Sequence, residues 1–122
     1  MITRVPALEF MQGAVGLYRS SDELTSLQIT RCGYGQLMEL RSSNKTQLAG
    51  VVGVAGSSVE LFAQLGLPNV VRMSGSLQSS DTISFRAQEP SVELLLAIDR
   101  GNLAVTISLA GVTSARHLLV RA

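Results

Sequence analysis

The sequence predicts an α/β fold: one globular domain over residues 1–122, with a small mixed sheet of four to six strands and two or three helices. Three observations lead there. A chain of 122 residues has the size of one ordinary domain. Runs suited to a pleated surface recur at strand length, at 24–30, 48–54, 69–73, 82–87 and 103–109. Between them stand runs rich in helix formers, at 36–43 and 57–65. The alternative is an α+β or mostly-β domain in which 91–109 forms a hairpin.

The elements follow in chain order. Residues 7–18 place Leu8, Met11, Val15 and Tyr18 at helical spacing. Gly13 and Gly16 each weaken a helix by about 1 kcal/mol relative to Ala, so a strand pair bent at glycine competes. Ser20-Ser21-Asp22-Glu23 reads as a turn, and 24–30 as a strand. Cys32-Gly33-Tyr34-Gly35 is a glycine-bracketed turn into the 36–43 helix, and 44–47 is a polar loop before the buried strand 48–54. Ser57 and Glu60 have the spacing of a capping box, in which the hydroxyl caps a free amide and the carboxylate returns the bond. Gly66 and Pro68 then stop the 57–65 helix, which lies on one face of the sheet. After the strand 69–73 and a polar break, 82–87 alternates Ile83 and Phe85 with Thr82, Ser84 and Arg86. Residues 91–99 suit either a helix or a core strand. Asp99 to Asn102 turn the chain into the strand 103–109, and 115–121 is a short amphipathic segment.

Composition narrows the function classes. Ten basic and nine acidic residues leave a formal charge of +1, and charged residues are 16% of the chain. That is below the usual ~25%, and mean hydropathy is +0.30. A surface so poor in charge favours association, so a protein partner or a second copy is expected against it. The basic residues, all arginines except Lys45, stand singly, and aromatics are 4%. Neither a track for a phosphate backbone nor a platform for stacked bases results, which argues against nucleic acid. No apolar run approaches the roughly 20 residues that span a bilayer, so no membrane partner is expected. The first residues lack a secretory pattern. Cys32 is the only cysteine, so it has no disulfide partner in the chain. A reducing compartment, most simply the cytoplasm, is expected, with Cys32 as a small buried residue.

Catalytic signals are missing. His117 is the only histidine, with no orienting partner nearby in sequence, and the carboxylates are spread singly. No catalytic residue, metal site or cofactor is assigned. Two loops remain. Gly53, Gly56, Ser57 and Ser58 lie where a strand runs into a helix start, whose free amides could hold an anion or a nucleotide phosphate. The phosphate loop's Lys-Ser/Thr pair and full glycine spacing are absent, so a tight turn with a helix cap competes. Arg31, Cys32, Gly33, Tyr34 and Gly35 form the second loop, the candidate partner-binding turn.

The order strand 24–30, turn 31–35, helix 36–43, strand 48–54 and helix 57–65, then Leu67-Pro68-Asn69-Val70-Val71, resembles half of a STAS domain, the anti-sigma-factor-antagonist family. Gly33-Tyr34-Gly35 matches that family's Gly-Leu-Gly, and 54–67 matches its second strand end and helix. The resemblance covers about residues 24–73, with 69–122 standing for the other half in permuted order. It implies an α/β fold and a regulatory role through protein contact. The family's phosphorylated serine falls on Arg31, so no phosphorylation switch is implied. The expected function is a non-enzymatic interaction or regulatory module docking through 31–40. The alternatives are a structural subunit of a homo-oligomeric assembly and a small anion or nucleotide binder.

Overall fold

The computed structural model describes residues 5–55, 58–66 and 68–122, and its architecture is a closed antiparallel barrel of ten strands. A helix, α1 (Pro6–Gly13), comes first. Then follow β1 (Gly16–Arg19), β2 (Thr25–Cys32), β3 (Gly35–Ser42), β4 (Lys45–Ala55) and β5 (Ser58–Gln64). The circuit continues through β6 (Val71–Ser79), β7 (Thr82–Gln88), β8 (Ser91–Asp99), β9 (Asn102–Leu109) and β10 (Val112–Arg121). Each strand pairs with its chain neighbours, and β1 pairs with β10 to close the circuit.

This overturns the α/β expectation, and the reason is a matter of period. On β3, Gln36, Met38 and Leu40 are buried while Leu37, Glu39 and Arg41 are exposed. Burial at every second residue is the signature of a strand with one wet face. The helix expected at 36–43 is therefore absent, despite its helix-forming residues. The helix expected at 57–65 is β5: Val59, Leu61 and Ala63 are buried, and Phe62 and Gln64 are exposed. Glu60 does not return a capping bond; its carboxylate accepts from the Arg72 guanidinium on β6. Ser57 lies outside the described residues. The STAS resemblance falls with these helices, since that fold needs both of them on a sheet. The segments 91–99 and 103–109 are the paired strands β8 and β9.

The barrel is filled. Leu27, Ile29, Leu40, Leu61, Met73, Ile83, Phe85, Leu94, Leu96, Leu103, Val105 and Leu119 are buried in one cluster. Each such side chain contributes about 1.5–3 kcal/mol by leaving water. Two inward glycines make room. A Cβ on Gly75 would come within 2.7 Å of the Phe85 ring, and one on Gly50 within 2.8 Å of Ala63 Cβ. Phe85 sits opposite Gly75 in the register, so its ring fills the space the glycine leaves.

Three hairpins turn on two residues that both have positive φ: Ser43–Asn44, Arg100–Gly101 and Ala110–Gly111. This is the tight-turn geometry that matches strand twist. The closing seam is short, with Tyr18 opposite Arg121 and Arg19 opposite Val120. α1 leads into β1 and packs against β3, β5 and β6, covering the barrel end where β1 begins. Its Ala7 and Met11 are buried, as is Ala14 just beyond it.

A candidate docking face on the barrel wall

With the interior filled, the exposed chemistry lies on the outer wall and the two ends. On the outside of β2–β5, Leu37, Val51 and Phe62 project from neighbouring strands, with Val70 just before β6. Their exposures run from 44% to 61%. Together with Gln28, Thr30, Glu39, Ala49 and Gln64 they line an open groove of about 470 Å³. The strand pairing sets this cluster: Leu37 stands opposite Val51, and Val51 opposite Phe62. One apolar residue per strand at the same level makes a continuous stripe across the sheet. A dry centre with amides, a hydroxyl and one carboxylate around it has the anatomy of a protein-binding patch. Glu39 has Arg41 only loosely beside it, at 3.9 Å, both half exposed.

One ion pair ties β5 at the edge of this wall to β6, and the next wall, β6–β8, carries a second. Arg72 donates through Nε and Nη2 to the two oxygens of Glu60, at 3.0 and 2.5 Å. The Glu60 hydrogen bond, with its charge, holds the Arg72 guanidinium above its ordinary pKa. Arg86 Nε donates to Glu93 Oε2 at 2.5 Å, and the Ser84 hydroxyl donates to the same oxygen at 3.1 Å.

The candidate loops fare differently. Arg31 to Gly35 make the tip of the β2–β3 hairpin, with Gly33 at φ +59 and Tyr34 95% exposed. Its neighbours Leu37, Met38 and Glu39 line the groove, so the expected 31–40 segment contributes three strand positions rather than a helix face. Cys32, expected to be buried, is exposed. Gly53 lies in β4 opposite Glu60, and Ser58 opens β5. Gly56 and Ser57 lie outside the described residues. Since 58–64 is a strand, the helix amides proposed to bind an anion are not present there. His117 is half-buried, and its Nε2 lies 2.8 Å from Oε1 of Gln47, a contact between β10 and β4. Among the described residues, no group of three or more His, Cys, Asp or Glu could hold a metal ion.

At the ends, Asp22 in the β1–β2 turn accepts from the Ser20 hydroxyl at 2.5 Å and the Leu24 amide at 3.0 Å. The Ser20 bond, then the Leu24 bond, holds its carboxyl below the ordinary 3.8. Gln36, inward on β3 and 1% exposed, leaves Oε1 without a partner among the described residues. An orphaned buried acceptor costs about 1–3 kcal/mol.

Sequence reasoning missed Val51, Phe62 and Val70. The signal that finds them is a large apolar residue at the wet parity of a strand. Comparison of the chain with family models, curated proteins and solved structures yields no match.

Proposed function

We propose that this chain is a non-enzymatic protein-binding module whose docking face is the outer wall of β2–β5. The observation that supports it is the stripe Leu37–Val51–Phe62, with Val70 beside it, exposed on a barrel whose interior is already filled. A closed circuit uses most of its strand edges internally, so a partner is met by side chains on a face rather than by an added strand.

A second reading, a subunit of a homo-oligomer, draws on a further stripe. Leu118 and Val120 on β10 are 71% and 56% exposed. β10 lies four strands from β4 around the circuit. Two different faces on one chain fit head-to-tail contacts between copies. Inward apolar and outward mixed positions are the reverse of a membrane-spanning barrel's pattern, which favours a protein partner over lipid. Among the described residues, no helix is long and apolar enough to cross a membrane. An exposed lone thiol fits a reducing compartment such as the cytoplasm.

The test places a photo-crosslinking residue at position 62 in the groove or at position 86 on the charged wall. Adducts are expected from 62 and not from 86, and Val51→Glu should abolish them while leaving the melting temperature near that of the parent. An adduct of twice the chain mass selects the homo-oligomer. Equal yields at both positions, or adducts that survive Val51→Glu, would refute the face.

A further inference from the structure

We propose that α1 is a hinged flap over one end of the barrel, opening as a unit about Ala14–Gly16 while the strands stay paired. The proposal is independent of the docking face and concerns a different part of the molecule.

The first argument is that α1 has little stability of its own. Eight residues are too few for a helix to persist alone in water. Val5 at the N-cap offers no side-chain cap. The helix is held by its seat, through Ala7 and Met11.

The second argument is the asymmetry of that seat. At the C-terminal end, the Tyr18 hydroxyl donates to Ala14 O at 2.7 Å. Arg121 Nη2 donates to Gly13 O at 3.2 Å and to the Tyr18 hydroxyl oxygen at 2.7 Å. The guanidinium also lies over the Tyr18 ring, 5.2 Å from its centroid. These contacts clasp the hinge end to β1 and β10. At the other end, Val5–Ala7 border a cavity of about 340 Å³ floored by Val59, Gly75 and Leu77. The segment next to the clasp passes into β1 at Gly16, which has φ +155 and stands opposite Ile29.

The third argument is Gln36. It faces inward at the α1-covered end of β3, a strand α1 packs against, and its Oε1 is buried without a partner. Opening the flap lets water reach that oxygen. The closed state thus bears a desolvation cost that the open state sheds, which lowers the opening free energy below that of global unfolding. Every strand has two strand neighbours in the closed circuit, and α1 supplies none of those pairings.

Native-state hydrogen exchange tests this on the whole chain. The amides of Glu9 to Ala14 should exchange together, at least about 100-fold faster than those of β3 and β5. Gln36→Leu should slow the α1 amides about tenfold, because the cost that favours opening is gone. Arg121→Ala should speed them about tenfold, because its bond to Gly13 O, on the helix side of the hinge, holds only the closed state, with β3 and β5 amides unmoved relative to global unfolding. Simple end-fraying predicts a graded rise toward Pro6 and no response to Gln36→Leu; that result overturns the flap. So does exchange of α1 in step with the strands. If Gln36→Leu does not fold, the Arg121→Ala arm decides alone: α1 rates unchanged would overturn the proposal.

Discussion

The walls β2–β5 and β6–β8 are built by one rule on the inside and opposite rules on the outside. Inward, the first sets Leu, Ile, Met and Val and the second Leu, Ile, Met and Phe, each beside one glycine, Gly50 on β4 and Gly75 on β6. Outward, the first presents Leu37, Val51 and Phe62, and the second presents serines with the Arg86–Glu93 pair. Folding constrains the inward set, because a one-residue slip would turn the whole core into water. It scarcely constrains the outward set. The contrast is therefore not dictated by the architecture: one wall presents charge and hydroxyls to water, and the other presents exposed apolar side chains.

That contrast can be broken from the inside or sharpened from the outside. The largest effect is expected from Gly75→Val. The added carbons meet the Phe85 ring, and overpacking of this kind costs about 3 kcal/mol. A urea midpoint close to the parent's would show that the polar wall does not depend on the glycine's space. Next in size is a paired test of the two kinds of surface charge. Arg72→Ala strands Glu60, whose side chain is 7% exposed, whereas Arg41→Ala releases Glu39, which is 50% exposed. Thermal melts should fall clearly for the first and hardly for the second. Equal falls would mean that burial of the carboxylate does not decide what its arginine is worth.

The smallest effect concerns Asp22, on neither wall. Its folded pKa lies below 3.8, so its contribution to stability is present above that pH and is lost as pH falls through the folded value. The difference in stability between the parent and Asp22→Asn should shrink on acidification below about pH 4, the ordinary range for an aspartate. A constant difference from pH 7 to pH 2 would show that the Ser20 and Leu24 bonds do not act through the charged form.

Much of the strand content is readable from the residues. The runs 24–30, 48–54, 82–87 and 103–109 fall within or close to β2, β4, β7 and β9, because Val, Ile and Thr mark them or alternation is clean. The fold class is not readable, and the errors sit on β3 and β5. There the wet positions hold Leu37 and Phe62, so the apolar residues do not alternate and helix formers such as Met38, Glu39 and Gln64 decide the reading. Of the three strands that carry the stripe, β3 and β5 are the two taken for helices, while β4 reads as a strand through its run of valines. Large apolar residues at outward positions erase the period that identifies these two strands, so the same residues that make the stripe hide the strands bearing it. The Ser57–Glu60 spacing added to the error, since a three-residue interval serves a cap and is equally open to a strand whose acid pairs with Arg72. Barrel closure is not legible at all, because the pairing of 18–19 with 120–121 leaves no local trace.

That last pairing has a further consequence. Every other strand pairing joins chain neighbours, and only the short β1–β10 seam joins distant parts of the chain, where the Ala122 amide reaches Leu17 O at 2.7 Å. Neighbouring hairpins each close a short loop, while the seam must bring together segments some hundred residues apart. Closing the circle therefore costs more chain entropy than forming any one of its hairpins.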